Sequence, residues 1–146
     1  MVKPKPDDFP TVTPYLYYED VNAAFDWLVK AFGFREKLRM PGEDGKLMHA
    51  ELSVGVDGVV MIGSPGPDYH APKDGNPYGQ LYIYVDDVDA HFTQANASGA
   101  KVTEQPTDVF YDDRRYMAQD PEGHVWCFAT HVRDVSPEEM AQAQPA

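Results

Sequence analysis

The stretch that decides the fold occurs twice in this chain, once near the N-terminus and once past the middle. Residues 16–25 read LYYEDVNAAF and residues 83–92 read IYVDDVDAHF, an offset of 67 positions. Five of the ten paired positions are identical, and three more (Leu/Ile, Glu/Asp and Asn/Asp) are chemically close. A solenoid needs three or more short repeats, so this single long repeat predicts two copies of one supersecondary unit. We expect a functional site at the junction of the two copies.

Each copy begins as a strand that runs into a helix. Tyrosine-rich residues precede Asp20 and Asp87, which stand where a helix N-cap is expected. Gly33 and Gly99 follow the two helical stretches, in the position where a glycine ends a helix. Three strand-like stretches separated by polar turns follow each helix. The sequence therefore predicts an α+β fold of two tandem β-α-β-β-β modules.

A short C-terminal helix is expected after the second module, because residues 136–139 read SPEE, an N-cap, a proline and two acids. The whole chain is predicted to form one domain. Its parts are a flexible lead at 1–10, a first module at 11–64, a Pro- and Gly-rich linker at 65–79, a second module at 80–131 and a C-terminal helix and tail at 132–146.

Composition narrows the class of protein. The formal net charge of −12 argues against a nucleic-acid partner, which requires a basic surface. No stretch is apolar over the length that spans a bilayer, and the first residues do not form a signal peptide, so we expect no membrane partner. The single Cys127 cannot form an internal disulfide, which fits a cytoplasmic protein.

The opening stretch LYYEDVNAAFDWLVKAFGF (16–34) and the closing stretch DPEGHVWCFATH (120–131) resemble the vicinal oxygen chelate superfamily, the glyoxalase/bleomycin-resistance/dioxygenase fold. The residues from 120 to 139 look most like its PhnB-like branch. The resemblance covers roughly residues 11–140. It implies a U-shaped mixed sheet with the helices on its convex side and the ligand on its concave side.

The resemblance also implies where a metal would bind. The metal-dependent members take ligands from the first and last strand of each module, and these positions correspond here to Thr13, Met61, Gln80 and Cys127. The usual occupants are His, Gln or Glu, so only Gln80 matches what a divalent ion prefers. We therefore predict no metal site and no cofactor. A divalent metal held by a relocated set of His49, Glu51 and Gln80 is the alternative.

Strand alternation predicts what lines the concave face instead. Tyrosines of the two first strands are expected there, with His49 and Glu51 side by side and Met61 and Cys127 at the floor. Leu47 and Ser53 are expected on the same face, while Met48 is expected on the helix side. The predicted ligand-binding residues are Tyr15, Tyr17, Tyr82, Tyr84, Gln80, Met61 and Cys127, with Phe110 and Tyr111 as aromatic gates. The tyrosines are equally consistent with ordinary strand packing, and His131 is expected to be solvated.

Three functions follow from these patterns. The first is a metal-free protein that binds a small aromatic or cationic compound in a tyrosine-lined cleft, as the resemblance to bleomycin-resistance proteins implies. Those proteins are homodimers, so we expect a homodimer. The second is a metal-dependent lyase or dioxygenase of the glyoxalase type. The third is a cofactor-free acid–base isomerase in which His49 and Glu51 are catalytic. Whether the protein is an enzyme is left open, and a binding protein is favoured.

Overall fold

The computed structural model describes residues 2–143; Met1 of the predicted lead and residues 144–146 of the predicted tail lie outside this range. The first set of elements is β1 (Tyr15–Tyr17), α1 (Val21–Phe32), β2 (Arg35–Pro41), β3 (Leu47–Val54) and β4 (Gly58–Gly63). The second set is β5 (Leu81–Tyr84), α2 (Val88–Ala97), β6 (Lys101–Asp108), β7 (Asp113–Gln119) and β8 (Val125–His131), and α3 (Pro137–Ala143) ends the described chain. The predicted α+β fold of two β-α-β-β-β modules is confirmed.

Each module forms its own four-stranded mixed sheet. The strand orders are β1-β4-β3-β2 and β5-β8-β7-β6, and only the first strand of each module pairs in parallel. The chain divides into two compact units with the boundary between Pro72 and Lys73, inside the predicted linker. Because the two sheets have the same connectivity, the internal sequence repeat corresponds to a repeated structure.

The repeated aspartates cap the two helices, as the sequence predicts. The side chain of Asp20 accepts a hydrogen bond from the Ala23 amide at 3.0 Å, and that of Asp87 accepts one from the Ala90 amide at 3.1 Å. These bonds satisfy amides that the first turn of a helix leaves unpaired. Gly33 ends α1 with φ of +72°, a left-handed conformation that a residue with a Cβ adopts at a cost.

Each helix packs on one face of the sheet in its own unit. In the first unit α1 covers β3 and β4, and Leu28, Ala50, Leu52 and Ile62 are fully buried. In the second unit α2 packs on β6, β7 and β8 over a core of aromatic residues. Burying one face of each sheet leaves the other face to carry polar and aromatic side chains.

The turn between β7 and β8 is stabilised by one buried carboxylate. Asp120 accepts hydrogen bonds from the amides of Glu122 and His124, each at 3.1 Å, and its second oxygen accepts one from the indole of Trp126 at 3.0 Å. Gly123 adopts a φ of +95° and lies against the Lys73 backbone, so no side chain fits there. These contacts account for Asp120, Gly123 and Trp126 in the stretch DPEGHVW (120–126). No helix in the described part of the chain is long and apolar enough to cross a membrane.

Candidate functional site

The sheet face opposite α1 carries the predicted tyrosines of the first unit. Met61 of β4 is the strand partner of Tyr15 on β1 and of Glu51 on β3. The three side chains therefore lie on the same face of the sheet. Tyr17 and His49 both pair with Gly63, one step further along the same face. Tyr15 is 46% exposed and Tyr17 is 48% exposed. The structure thus brings these five predicted positions together.

Tyr15, His49 and Glu51 form a continuous chain of hydrogen bonds. The Tyr15 hydroxyl lies 2.9 Å from Nδ1 of His49, and Nε2 of His49 lies 2.9 Å from Oε2 of Glu51. Glu51 is buried, and burial, with Tyr17 and Glu51 nearby, raises the pKa of Tyr15. The phenol therefore stays protonated at neutral pH. Gly63 makes room for it, because a Cβ there would overlap the Tyr15 hydroxyl.

Tyr69 extends this face, and the sequence did not indicate it. The rings of Tyr15 and Tyr17 meet edge to face with centroids 5.9 Å apart, and Tyr17 meets Tyr69 in the same way at 5.9 Å. The Tyr69 hydroxyl donates to the backbone carbonyl of Tyr17 at 3.0 Å. Tyr69 belongs to the segment read as a linker, where no periodicity marks a residue as facing a sheet. We call Tyr15, Tyr17 and Tyr69 the first tyrosine face.

Two apolar residues of β2 border the first tyrosine face. Leu38 pairs with Glu51 and Met40 pairs with His49, and both apolar side chains are exposed. The sequence missed them because β-bulges at Glu36/Leu38 and Met40/Pro41 interrupt the alternation. The second bulge also explains a wrong prediction at the start of β3. Leu47 is buried and Met48 exposed, the reverse of the expected order.

The second unit carries a matching face that centres on Asp113. Tyr82 and Tyr84 donate to the same oxygen, Oδ2 of Asp113, at 2.7 and 2.8 Å. The other oxygen, Oδ1, lies 2.6 Å from Nδ1 of His131, and Nε2 of His131 lies 2.8 Å from Asp134. Asp113 is only 1% exposed, whereas Tyr84 is 58% exposed. We call Tyr82 and Tyr84 the second tyrosine face. His131 is exposed, as expected, but it also pairs with two carboxylates, which was not predicted from the sequence.

The hydrogen bonds of this cluster set its protonation. Burial alone would raise the pKa of Asp113, but hydrogen bonds from His131, Tyr82 and Tyr84 outweigh it and lower that pKa. Burial is the main cause that raises the pKa of Tyr82, and the hydrogen bond to Asp113 is the main cause for Tyr84. Asp113, followed by Asp134, raises the pKa of His131. At neutral pH the cluster is therefore a buried carboxylate with two protonated phenols.

The predicted gate residues lie in the turn between β6 and β7. The rings of Phe110 and Tyr111 meet edge to face, with centroids 4.9 Å apart. Arg115 donates to the Tyr111 hydroxyl at 2.8 Å and pairs with Glu104 at 3.2 Å. The guanidinium thus anchors Tyr111, and its charge is balanced by Glu104. Whether the two aromatic residues act as gates stays a prediction.

The residues at the superfamily's metal positions do not fit a divalent ion. Met61 and Cys127 are the strand partners of Tyr15 and Tyr82, and Thr13 and Gln80 precede β1 and β5. A hydroxyl and a thioether in one unit, and an amide and a thiol in the other, are a poor donor set for a hard cation. Burial raises the pKa of Cys127 to about 11, which disfavours the thiolate form that zinc would bind.

His49 and Glu51 of the alternative metal set are bonded to each other within the first unit. Among residues 2–143 no group of three or more His, Cys, Asp or Glu side chains is placed to hold a metal ion.

Comparison with known proteins identifies the class. Residues 10–128 match the Glyoxalase/Bleomycin resistance protein/Dioxygenase superfamily, and the chain belongs to this superfamily. An uncharacterised Mycobacterium bovis protein, Mb0911c, is 35% identical over 140 residues, which are 92% of this chain and 91% of that protein.

Solved structures agree with this assignment. TioX from Micromonospora sp. ML1 is 38% identical with a TM-score of 0.69, over 82% of this chain and 97% of TioX. TnmS3, an antibiotic binding protein from Streptomyces sp. CB03234, shares the fold with a TM-score of 0.64 at 23% identity, over 82% of this chain and 93% of TnmS3. The predicted superfamily is confirmed, and the PhnB-like branch stays a prediction.

Proposed function

We propose that this protein binds a small aromatic or cationic compound on its tyrosine faces and does not transform it. The observation that carries the proposal is the pair of hydrogen bonds from Tyr82 and Tyr84 to one oxygen, Oδ2, of the buried Asp113. These bonds hold the rings in place while the ring of Tyr84 stays more than half exposed. Side chains ordered before binding lose less conformational entropy when a ligand arrives. A tyrosine that served only to pack a strand would need neither the bonds nor the exposure.

Charge supports the cationic part of the proposal. The chain has a formal net charge of −12. A buried carboxylate is also hydrogen-bonded to each tyrosine face, Glu51 to the first through His49 and Asp113 to the second directly. A cation held against an aromatic face gains roughly 0.5–2 kcal/mol, and more when water is excluded. The class of activity also has a precedent in the superfamily, since TnmS3 is an antibiotic binding protein. The homodimer that the resemblance implies stays a prediction.

The proposal is tested by a thermal-shift screen of aromatic, cationic and anionic compounds. Each hit is then titrated by calorimetry. We expect the hits to be aromatic or cationic, and Tyr15→Ala or Tyr84→Ala to weaken binding about tenfold or more while the fold is retained. Tyr78→Ala is the matched control, because Tyr78 is 94% exposed and belongs to neither face. Hits whose affinity is the same in all three variants would contradict the proposal.

A second candidate function, a cofactor-free acid–base isomerase, is favoured by the unbroken Tyr15–His49–Glu51 chain with both steps at 2.9 Å. A histidine oriented by a carboxylate is a common general base. Incubating the hits in D₂O tests this function. An enzyme would incorporate deuterium at a carbon atom of the hit only when the protein is present. The rate of uptake would have a bell-shaped pH profile and would be lost in His49→Ala. This result would show that the protein is an isomerase and not only a binding protein. Absence of uptake would leave binding as the function.

A further inference from the structure

Tyr15, Tyr82 and Tyr84 direct their hydroxyl hydrogens at Asp113 or at the histidine bonded to Glu51, and this determines what their oxygens offer a ligand. A phenol has one hydrogen to donate and lone pairs with which to accept. Tyr84 gives its hydrogen to Oδ2 of Asp113, which is ionised and has none to return. The oxygen of Tyr84 can therefore act toward a ligand only as an acceptor.

The same polarity holds in the first unit by a different route. With Glu51 as a carboxylate and the imidazole neutral, Nε2 of His49 carries the hydrogen that Glu51 accepts. Nδ1 is then bare and accepts the hydrogen of Tyr15. In this tautomer of His49 the hydrogen bonds run in one direction, from Tyr15 through His49 to Glu51, and the lone pairs of the Tyr15 oxygen remain for a ligand.

Two charged groups close to the second tyrosine face already bond to acceptors. The guanidinium of Arg115, on the same sheet face as Tyr82 and Tyr84, is paired with Glu104 and donates to Tyr111. His131 is bonded to Asp113 and Asp134. At the Tyr15 and Tyr84 oxygens, a carboxylate or phenolate ligand would therefore meet lone pairs in place of hydrogen-bond donors, at a cost in desolvation.

From these contacts we infer that each tyrosine face selects an aromatic ammonium ligand with at least one N–H, which donates to the Tyr15 or the Tyr84 oxygen while its flat ring packs on the neighbouring tyrosine. This inference rests on the proposed function and narrows its ligand class from any aromatic or cationic compound. It makes the hydrogen-bond donor, and not the charge alone, the group that is recognised.

Three naphthalene probes separate the donor from the charge. They are 1-naphthylmethylammonium, its N,N,N-trimethyl derivative with the same charge and no N–H, and 1-naphthylacetate, which has the opposite charge and only acceptors. Calorimetric titration at pH 8 gives the affinity of each. We expect the ammonium to bind about tenfold more tightly than the trimethyl derivative, as one charge-assisted hydrogen bond provides, and the acetate to bind most weakly.

Phenylalanine variants assign the effect to the two oxygens. Tyr15→Phe with Tyr84→Phe keeps both rings, so we expect the trimethyl derivative to bind as before and the tenfold preference for the ammonium to disappear. Tyr78→Phe is the control and should keep the preference. Thermal unfolding of each variant confirms that it is folded before the titration.

The results that overturn the inference differ from those that overturn the proposed function. Equal affinity for the two cations in the unsubstituted protein, or a preference that survives in the double variant, refutes donor recognition and leaves aromatic binding intact. Tightest binding of the acetate refutes the inference. If none of the probes binds while the screen finds other ligands on the same faces, only the inference fails. Binding that is unaffected by alanine at Tyr15 and Tyr84 refutes the proposed function itself.

Discussion

Asp113 and His131 face each other across β7 and β8, and their side chains meet with 2.6 Å between Oδ1 and Nδ1. This pair joins the second tyrosine face to the end of the last strand. Through Asp134 the same imidazole reaches the segment that leads to α3. The carboxylate of Asp113 thus links Tyr82, Tyr84 and His131, and its removal affects stability and the site together.

Replacing Asp113 by Asn is expected to lower the free energy of unfolding by about 1–3 kcal/mol, because a buried charge-assisted acceptor is lost and partners of Asp113 are left unsatisfied. Urea unfolding followed by circular dichroism measures the change. Asp57→Asn is the control, since Asp57 is exposed, and should change stability by less than about 0.5 kcal/mol. Equal effects of the two substitutions would show that the Asp113 cluster contributes nothing specific.

His131 should make stability depend on pH. Its pKa is raised in the folded protein, mainly by Asp113, so the native state holds this proton more tightly than the unfolded state. The resulting stabilisation is complete below about pH 6.5, the pKa of His131 in the unfolded chain. It is lost as the pH rises through the higher pKa that His131 has in the folded protein. Urea unfolding of the unsubstituted protein and of His131→Gln between pH 6 and 9 should give a difference that shrinks with rising pH. A difference that stays constant or grows would be inconsistent with this pair.

Cys127 should be unreactive in the native protein. The side chain is fully buried and its pKa is about 11, so at pH 8 only about 0.1% is thiolate. Reaction with a disulfide reagent at pH 8 should be slow in buffer and fast in denaturing urea at the same pH. Cys127 is the sole cysteine, so the signal reports this residue alone. Equally fast labelling under both conditions would mean that the strand opens readily or that the thiol is ionised.

Gly63→Ala should release Tyr15 from His49. An added methyl group would overlap the Tyr15 hydroxyl and lie 3.0 Å from the Met48 carbonyl oxygen, so the phenol has to move. We expect a loss of about 1–3 kcal/mol in stability and weaker ligand binding on the first tyrosine face. Gly79→Ala is the control, because a Cβ there meets nothing within 4 Å. Unchanged binding in Gly63→Ala would show that the position of the Tyr15 hydroxyl is unimportant.

The sequence predicted those features that depend on neighbouring residues. The aspartate caps, the glycine stops and the alternation that places Tyr15 with Tyr17 each act over a few positions, and the structure has all of them. The pairing of His49 with Glu51 follows from the same alternation. The bulged strand β2 and Tyr69 depend on contacts between distant segments, which no short pattern encodes.

The pairing of Asp113 with His131, in contrast, could have been predicted from the sequence. The turn at 120–124 fixes the register of β7 and β8, and counting outward from it residue by residue pairs Asp113 with His131. Extending β7 back to Asp113 would have revealed the pair.

Ligand binding on the tyrosine faces can be observed by NMR on protein with ¹³C-labelled tyrosine rings. Titration with 1-naphthylmethylammonium should shift the ring signals of Tyr15, Tyr17 and Tyr84 and leave that of Tyr78 unchanged, with each signal assigned from its phenylalanine variant. The shifts should saturate, and the titration of Tyr15 and Tyr84 should give the affinities found by calorimetry. Calorimetric binding that leaves these three rings unperturbed would show that the ligand binds elsewhere on the protein and not on the tyrosine faces.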